Sequence, residues 1–423
     1  MTLIHGSVLQ VRSAADCRLL DNTTVTIADN GTIGGISTGQ SPSKEARGGD
    51  GCYILPGFID AHLHLPQWDR RGIDQPSLAR WRDAIGYPAE ARCADPGFAA
   101  DLAEQFVSGI LANGTTTICA FGSPFAAEVD QSFSVFARRG LRAIYGMMLN
   151  DNGVPAELAQ NPDKALDESR ALAAKWHNAE NGRLRYAFGP RGTIRCSEKL
   201  MRGAAALAEM FNCHLQTHVA ESPEEIAEAH EQYPDYVDEV DVYADLGVLT
   251  SRTLLAHGMF LHPQQRRQLA DRRTALVHCP TANLFRESGL MDYVAHRAAG
   301  IRIALGSSIA AGYDPFMPRI AAQTLQTAKA IKVHTLPRQS AQVPPPAEAW
   351  WMLTRGGAEA LGIADQVGAL EVGYQADLLV VRPEKWINNL PADQRLSALL
   401  YTLAPEQIEQ VYVAGRLVAS KKQ

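Results

Sequence analysis

Two histidines one residue apart, His62 and His64, stand at the end of the apolar run LPGFIDAHLHLPQ, from Leu55 to Gln67. The run reads as a buried strand that is entered through a Pro-Gly step and stops in the polar groups Asp60, His62 and His64. Side chains two apart on a strand leave the same face, so both imidazoles can close on one ion. Histidine recurs where later apolar segments stop: His218 after CHLQT, His257 after TLLA and His278 after TALV. Three neutral imidazoles with an open fourth position form a catalytic zinc arrangement, whose chemistry is the activation of water for hydrolysis. A bare His-x-His pair also arises by chance, and a lone strand-end histidine such as His278 is equally a core residue. The joint placement of His62, His64 and His218 is harder to obtain that way. Glu221, three residues past His218, is placed to pass protons near a metal without being a ligand, although Ser222-Pro223-Glu224-Glu225 also reads as a plain helix start. Gln67 offers a donor and an acceptor and Arg191 a planar fork, which suit a lactam or guanidine-like edge.

These side chains meet only if the strand ends face one another. From residue 55 strand and helix textures alternate, with helices expected near 163–181, 198–211 and 290–299, from Pro223 and after Pro263. Eight strand segments can be counted; Arg191 follows the fourth, His218 ends the fifth, His257 the sixth, His278 the seventh and Ser307-Ser308 the eighth. Eight such units over about 300 residues predict an α/β chain folded as a closed parallel (β/α)8 barrel of the TIM type, with the strand ends converging at one mouth. Residues 1–54 and 365–423 are short alternating segments with Gly and Asn turns, Asp29-Asn30-Gly31 among them. They are expected to pack together as one composite β-sandwich domain beside a 55–364 barrel.

Composition narrows the function. With 423 residues, 46% hydrophobic and 20% charged, the chain is globular and long enough for one large barrel. A net charge of -6, with no run of Lys or Arg longer than two, gives no nucleic-acid footprint. No stretch of about 18 apolar residues and no basic-then-apolar start is present, which predicts a cytoplasmic protein without membrane spans. The seven cysteines are scattered without a C-x-x-C, so reduced thiols are expected. The glycines from Gly31 to Gly35 lack the strand and helix that frame a phosphate loop.

PGFIDAHLHLPQ, QTHVAE, LLAHG, HCPTAN and EVGYQADLLVV together resemble the amidohydrolase superfamily, within it the guanine deaminase and chlorohydrolase-like branch, over nearly the whole chain. Pro66-Gln67, Tyr87-Pro88-Ala89-Glu90, Gly189-Pro190-Arg191 with Cys196-Ser197, and Tyr233-Pro234 followed by Tyr243 are similar to guanine deaminases in particular. The resemblance implies that His62, His64 and His218 bind zinc, that Glu221 shuttles protons, that His257 holds the attacked ring oxygen or water, and that Gln67 and Arg191 grip the purine edge. A small-molecule heterocycle and a second copy of the chain, as a homodimer, are the expected partners. Two departures stand out. Ser308, in ALGSSIAAGYDPFM, occupies the place of the family's eighth-strand Asp, with Asp314 six residues on as the carboxylate that would have to reach back. Gly192 stands where guanine deaminases carry a Phe that covers the base. Two readings follow: a zinc-dependent deaminase of an aminated purine or pterin, and a catalytically inactive pseudoenzyme that binds such a ring or scaffolds a partner.

Overall fold

Apolar segments alternating with amphipathic ones become eight parallel strands, each bonded to the next: Phe58–His64, Thr115–Phe121, Arg142–Gly146, Leu184–Pro190, His214–Val219, Thr253–His257, Ala275–His278 and Arg302–Leu305. The computed structural model describes residues 1–39, 43–75, 77–334 and 343–421. Helices cover the outside and side chains fill the inside, so strands such as the first two are buried at every position. The first and eighth strands meet through bonds beyond the regular ladder. Ser308 N–H donates to His62 O at 2.8 Å and His64 N–H to Ile309 O at 2.7 Å. Asp60 seals the same seam, accepting the Ser307 N–H at 2.9 Å and the Ser307 hydroxyl. Its carboxyl is pushed up to about 7 by burial, against the pull of those donors. Asp60 thus closes the barrel and does not face its mouth.

The helix Glu198–Phe211 forms as expected: Ser197 accepts the Leu200 N–H, and Asn212 ends it in the left-handed conformation. Pro162–Trp176 stops short of the expected residue 181, because His177 is extended and Asn178, Glu180 and Asn181 all take positive φ. A helical insertion follows the first strand, as Leu78–Trp81, a π-type turn Arg82–Gly86 and Tyr87–Ala91. No simple periodicity announces it.

Both chain ends share one mixed sheet, in the order Arg416–Ser420, Ile408–Val413, Leu378–Val381, Arg47–Pro56, Thr2–Ser13, Asp16–Ile27 and Ile33–Thr38. Residues 422 and 423 of the expected C-terminal segment lie outside the described residues. The sheet feeds the barrel through Gly57, where a Cβ would sit 2.1 Å from the Thr116 hydroxyl, so only glycine fits. A buried ion pair pins the two parts: Arg142 Nε and Nη2 donate to Asp377 at 2.8 and 3.1 Å, and Asp377 also accepts the Ala414 N–H at 2.7 Å. All seven cysteines are free. Among the described residues no helix is long and apolar enough to cross a membrane.

Candidate functional site

Four imidazoles converge at the carboxyl ends of the first, fifth and sixth barrel strands. Ring centroids are 5.0 Å apart for His62 and His218, 5.1 Å for His62 and His64, and 5.4 Å for His62 and His257. One nitrogen from each of His62, His218 and His257 lies within 4.8 Å of the other two, and His64 Nε2 is 3.4 Å from His218 Nε2. His257 therefore belongs to the converging set with His62 and His218, and His64 meets that set through His218.

Hydrogen bonds on the far side of two rings decide where their lone pairs lie. His218 Nδ1 is 2.8 Å from Arg191 O, and since a carbonyl only accepts, Nδ1 carries the proton and Nε2 is free. His257 Nδ1 is fixed likewise by Asn283 Oδ1 at 2.8 Å. His62 Nε2 is buried with no hydrogen-bond partner among the described residues. Burial first, and neighbouring imidazoles after it, hold His62 and His64 well below the ordinary histidine range and His218 down to about 3. These three rings are neutral at pH 7. Neutral imidazoles suit a tetrahedral ion, and the 3.4 Å between His64 Nε2 and His218 Nε2 matches the roughly 3.4 Å that Zn–N bonds of about 2.1 Å put between neighbouring ligand atoms.

Glu221 follows a left-handed turn at Ala220, φ 46°, and its Oε1 lies 3.2 Å from His257 Nε2. Burial raises its pKa, with His257 opposing, so this carboxyl holds a proton more readily than a surface glutamate. Ser308, φ 49°, lines the same cleft, together with His64, Gln67, His218, Glu221 and His257. Asp314 does not reach back toward Ser308. Its Oδ1 accepts the Phe316 N–H at 2.9 Å and its Oδ2 faces Arg319 at 3.2 Å. His278 is fully buried and does not line the cleft; burial lowers it to about 3.

Gln67 and Arg191 come together through a residue to which the sequence assigned no role. Glu90, from the insertion after the first strand, accepts Arg191 Nη1 at 2.6 Å, Arg191 Nη2 at 2.8 Å and Gln67 Nε2 at 3.0 Å. Gln67 Oε1 accepts the Ala310 N–H at 3.2 Å, and the Arg191 guanidinium lies 4.8 Å from the centre of the Tyr87 ring. Burial works against the Arg191 charge, but Glu90 outweighs it and the guanidinium binds its proton more tightly. The motif Tyr87-Pro88-Ala89-Glu90 was the only signal for this carboxylate. Gly192, next in the loop, has φ 153°, and a Cβ there would meet nothing nearer than the Tyr243 hydroxyl at 3.8 Å. Glu239 is a further carboxyl on the cleft wall that sequence reasoning missed; burial pushes it up to about 7.

Comparison with known proteins bears on the family and the fold of the chain. The amidohydrolase family model matches residues 53–418. A probable guanine deaminase of Deinococcus radiodurans is 31% identical over 440 residues, which cover 100% of this chain and 98% of the relative. The solved guanine deaminase of Escherichia coli superposes with a TM-score of 0.91 at 27% identity, covering 100% of each chain. An adenosine deaminase from Xanthomonas campestris, solved with bound zinc, gives a TM-score of 0.83 at 25% identity over 98% of this chain and 92% of its own.

Proposed function

Because the chain belongs to the amidohydrolase family and is guanine deaminase-like along its whole length, we propose that it binds an aminated fused heterocycle, of purine or pterin type, at the barrel mouth and deaminates it hydrolytically with zinc, at a rate curtailed by Ser308. The observation that carries this reading is the set of converging imidazoles, His62, His64 and His218 neutral among them, with the far nitrogens of His218 and His257 fixed by Arg191 O and Asn283. His62, His64 and His218 hold the metal, with His257 beside them. Zinc, when bound, supplies the Lewis acidity that brings the pKa of a water toward neutrality.

The remaining work falls to the chain. Hydrolytic deamination adds the oxygen of water to an amidine carbon and releases the amine as ammonia, so protons must leave the water and reach the ring nitrogen and the amine. Glu221 carries them, since burial raises its proton affinity and its oxygen lies 3.2 Å from His257 Nε2. Gln67 and Arg191, braced by Glu90, orient the ring edge so that the amidine carbon is presented to the water.

A second reading, an inactive pseudoenzyme that binds a ring or scaffolds a partner, is favoured by one observation. Ser308 occupies the eighth-strand position in the cleft, and Asp314 is committed to Phe316 and Arg319. The deciding experiment is metal analysis of protein purified without added zinc, followed by turnover of wild type and Ser308→Asp on a panel of aminated purines and pterins. The substitution is compatible with the backbone, because Asp accepts the left-handed region better than most residues. Wild type is expected to be slow and Ser308→Asp to gain roughly 10²- to 10⁴-fold, the usual worth of a positioned acid or base. Wild-type turnover of about 1 s⁻¹ or more would mean that the serine is tolerated. If both proteins bind zinc and ring yet turn nothing over, the pseudoenzyme reading replaces the deaminase.

A further inference from the structure

The loops after the fourth and fifth barrel strands carry different parts of the site, the ring clamp at Arg191 and the proton carrier at Glu221, and one half-buried side chain on the cleft wall joins them. Glu239 is the first residue of the helix Glu239–Asp245, whose cap, Asp238, accepts the Val240 and Asp241 N–H groups. Its carboxylate turns inward. Oε1 accepts the Thr193 hydroxyl at 2.9 Å, and Oε2 accepts the Ala220 N–H at 3.0 Å. Thr193 is two residues past Arg191, and Ala220 lies between His218 and Glu221. One turn along the helix, the Tyr243 hydroxyl lies 2.7 Å from His218 O and 3.2 Å from Glu239 Oε1. The hydroxyl has a single proton, and the carbonyl, which can only accept and is nearer, takes it. Thr193, Ala220 and His218 are therefore all tied to one short helix.

Ala220 is the reason the tie matters. It has a Cβ and yet takes φ 46°, a conformation such residues keep only where their surroundings determine it. The Ala220 N–H reaches Glu239 from within that turn, and the turn aims Glu221 at His257. We propose that Glu239 is a positioning residue: by holding Ala220 and Thr193 together it sets Glu221 against His257 and keeps the Arg191–Thr193 loop in register with it. The proposal rests on the reading of Glu221 as proton carrier, and its test separates the two.

Full-length, zinc-loaded Glu239→Ala and Glu239→Gln are compared with wild type by amide hydrogen exchange and zinc content, and by kcat and KM on guanine and an aminated pterin. In Glu239→Ala, exchange at residues 219–222 is expected to rise roughly tenfold or more while the helix Glu198–Phe211 stays protected, as a local opening would do. Zinc content should hold, because Glu239 is not a ligand. With the proton carrier misplaced, kcat should fall by about 10²-fold at nearly constant KM. Glu239→Gln retains an acceptor for the Ala220 N–H and should recover most of both losses. Undisturbed protection at 219–222 in Glu239→Ala, an equal loss of protection across the barrel, or a Gln variant as impaired as the Ala variant would each overturn the proposal. If wild type turns over neither ring, the deaminase reading fails, and the exchange measurement alone decides whether Glu239 holds the loop.

Discussion

The two sides of the cleft are built on opposite plans. On the clamp side, Glu90, Gln67 and Arg191 satisfy one another, and the Ala310 N–H and Tyr87 ring complete the arrangement. On the histidine side, Arg191 O and Asn283 fix only the far nitrogens of His218 and His257, and His62 Nε2 has no hydrogen-bond partner among the described residues. A buried charge pair whose partners are already in place is rigid before any ligand arrives, whereas rings turned toward a common centre are completed by something from outside. The clamp therefore belongs to the stability of the apo fold. The histidine side belongs to the bound state.

Breaking the clamp should cost most. Glu90→Ala leaves the Arg191 guanidinium, 8% exposed, without its carboxylate, and removal of one partner from a buried pair typically destabilises by about 3–5 kcal/mol. Urea denaturation of the metal-free protein should register that loss, with ring binding lost alongside it. A change under about 1 kcal/mol would mean that the guanidinium reaches water or another acceptor when Glu90 is gone.

On the histidine side the effect depends on the metal. His62→Ala should abolish stabilisation by added zinc, about 2.7 kcal/mol at a concentration one hundred times Kd in wild type. A thermal shift with zinc that survives loss of His62 would sink the assignment of this ligand.

The same rings give the metal-free protein a dependence on pH. His62, His64 and His218 have folded pKa values below the ordinary one, His218 about 3. As pH falls below about 6.5 the unfolded chain takes up protons that the fold refuses, so stability present above that pH is lost toward the lowered values, by up to about 1.4 kcal/mol per pH unit for each ring. Urea midpoints measured from about pH 7 down to about pH 4 should fall, and less steeply in His62→Ala, which has one such ring fewer. Equal slopes would show that the rings are already protonated in the fold.

The same contrast explains which parts of the site were legible in the sequence. His62, His64, His218 and His257 end strands, and the period of two with the common mouth of a parallel barrel brings strand ends together without further knowledge. Glu90 follows a π-type turn in an irregular insertion, and Glu239 opens a helix that only tertiary packing turns inward, so neither role can be read from local pattern. Asp60 illustrates the reverse: it sits among strand-end polar residues, yet its side chain is spent on the seam to Ser307. Asp314 is near Ser308 in sequence, but the Phe316 N–H and Arg319 claim its carboxylate first.

The smallest expected effect tests the open wall beside the clamp. Gly192 lines the cleft next to Arg191, and a Cβ built there meets nothing nearer than 3.8 Å, so the root of a phenyl side chain is unobstructed beside a ring bound as proposed. Its stacking on a purine is worth about 0.5–1.5 kcal/mol. The backbone opposes it, since φ 153° is a conformation that residues with a Cβ rarely adopt, and leaving or enduring it costs about 1 kcal/mol or more. The two terms nearly cancel for guanine, which the added ring would cover. They do not cancel for a wider pterin, which loses the space as well. Wild type is expected to prefer the pterin, and Gly192→Phe to move the ratio of the two affinities toward guanine by roughly fivefold, about 1 kcal/mol. Calorimetry on both proteins with both rings measures that ratio directly. If the affinities change by the same factor, residue 192 acts through the backbone of the Arg191 loop, and the open wall has no part in choosing the ring.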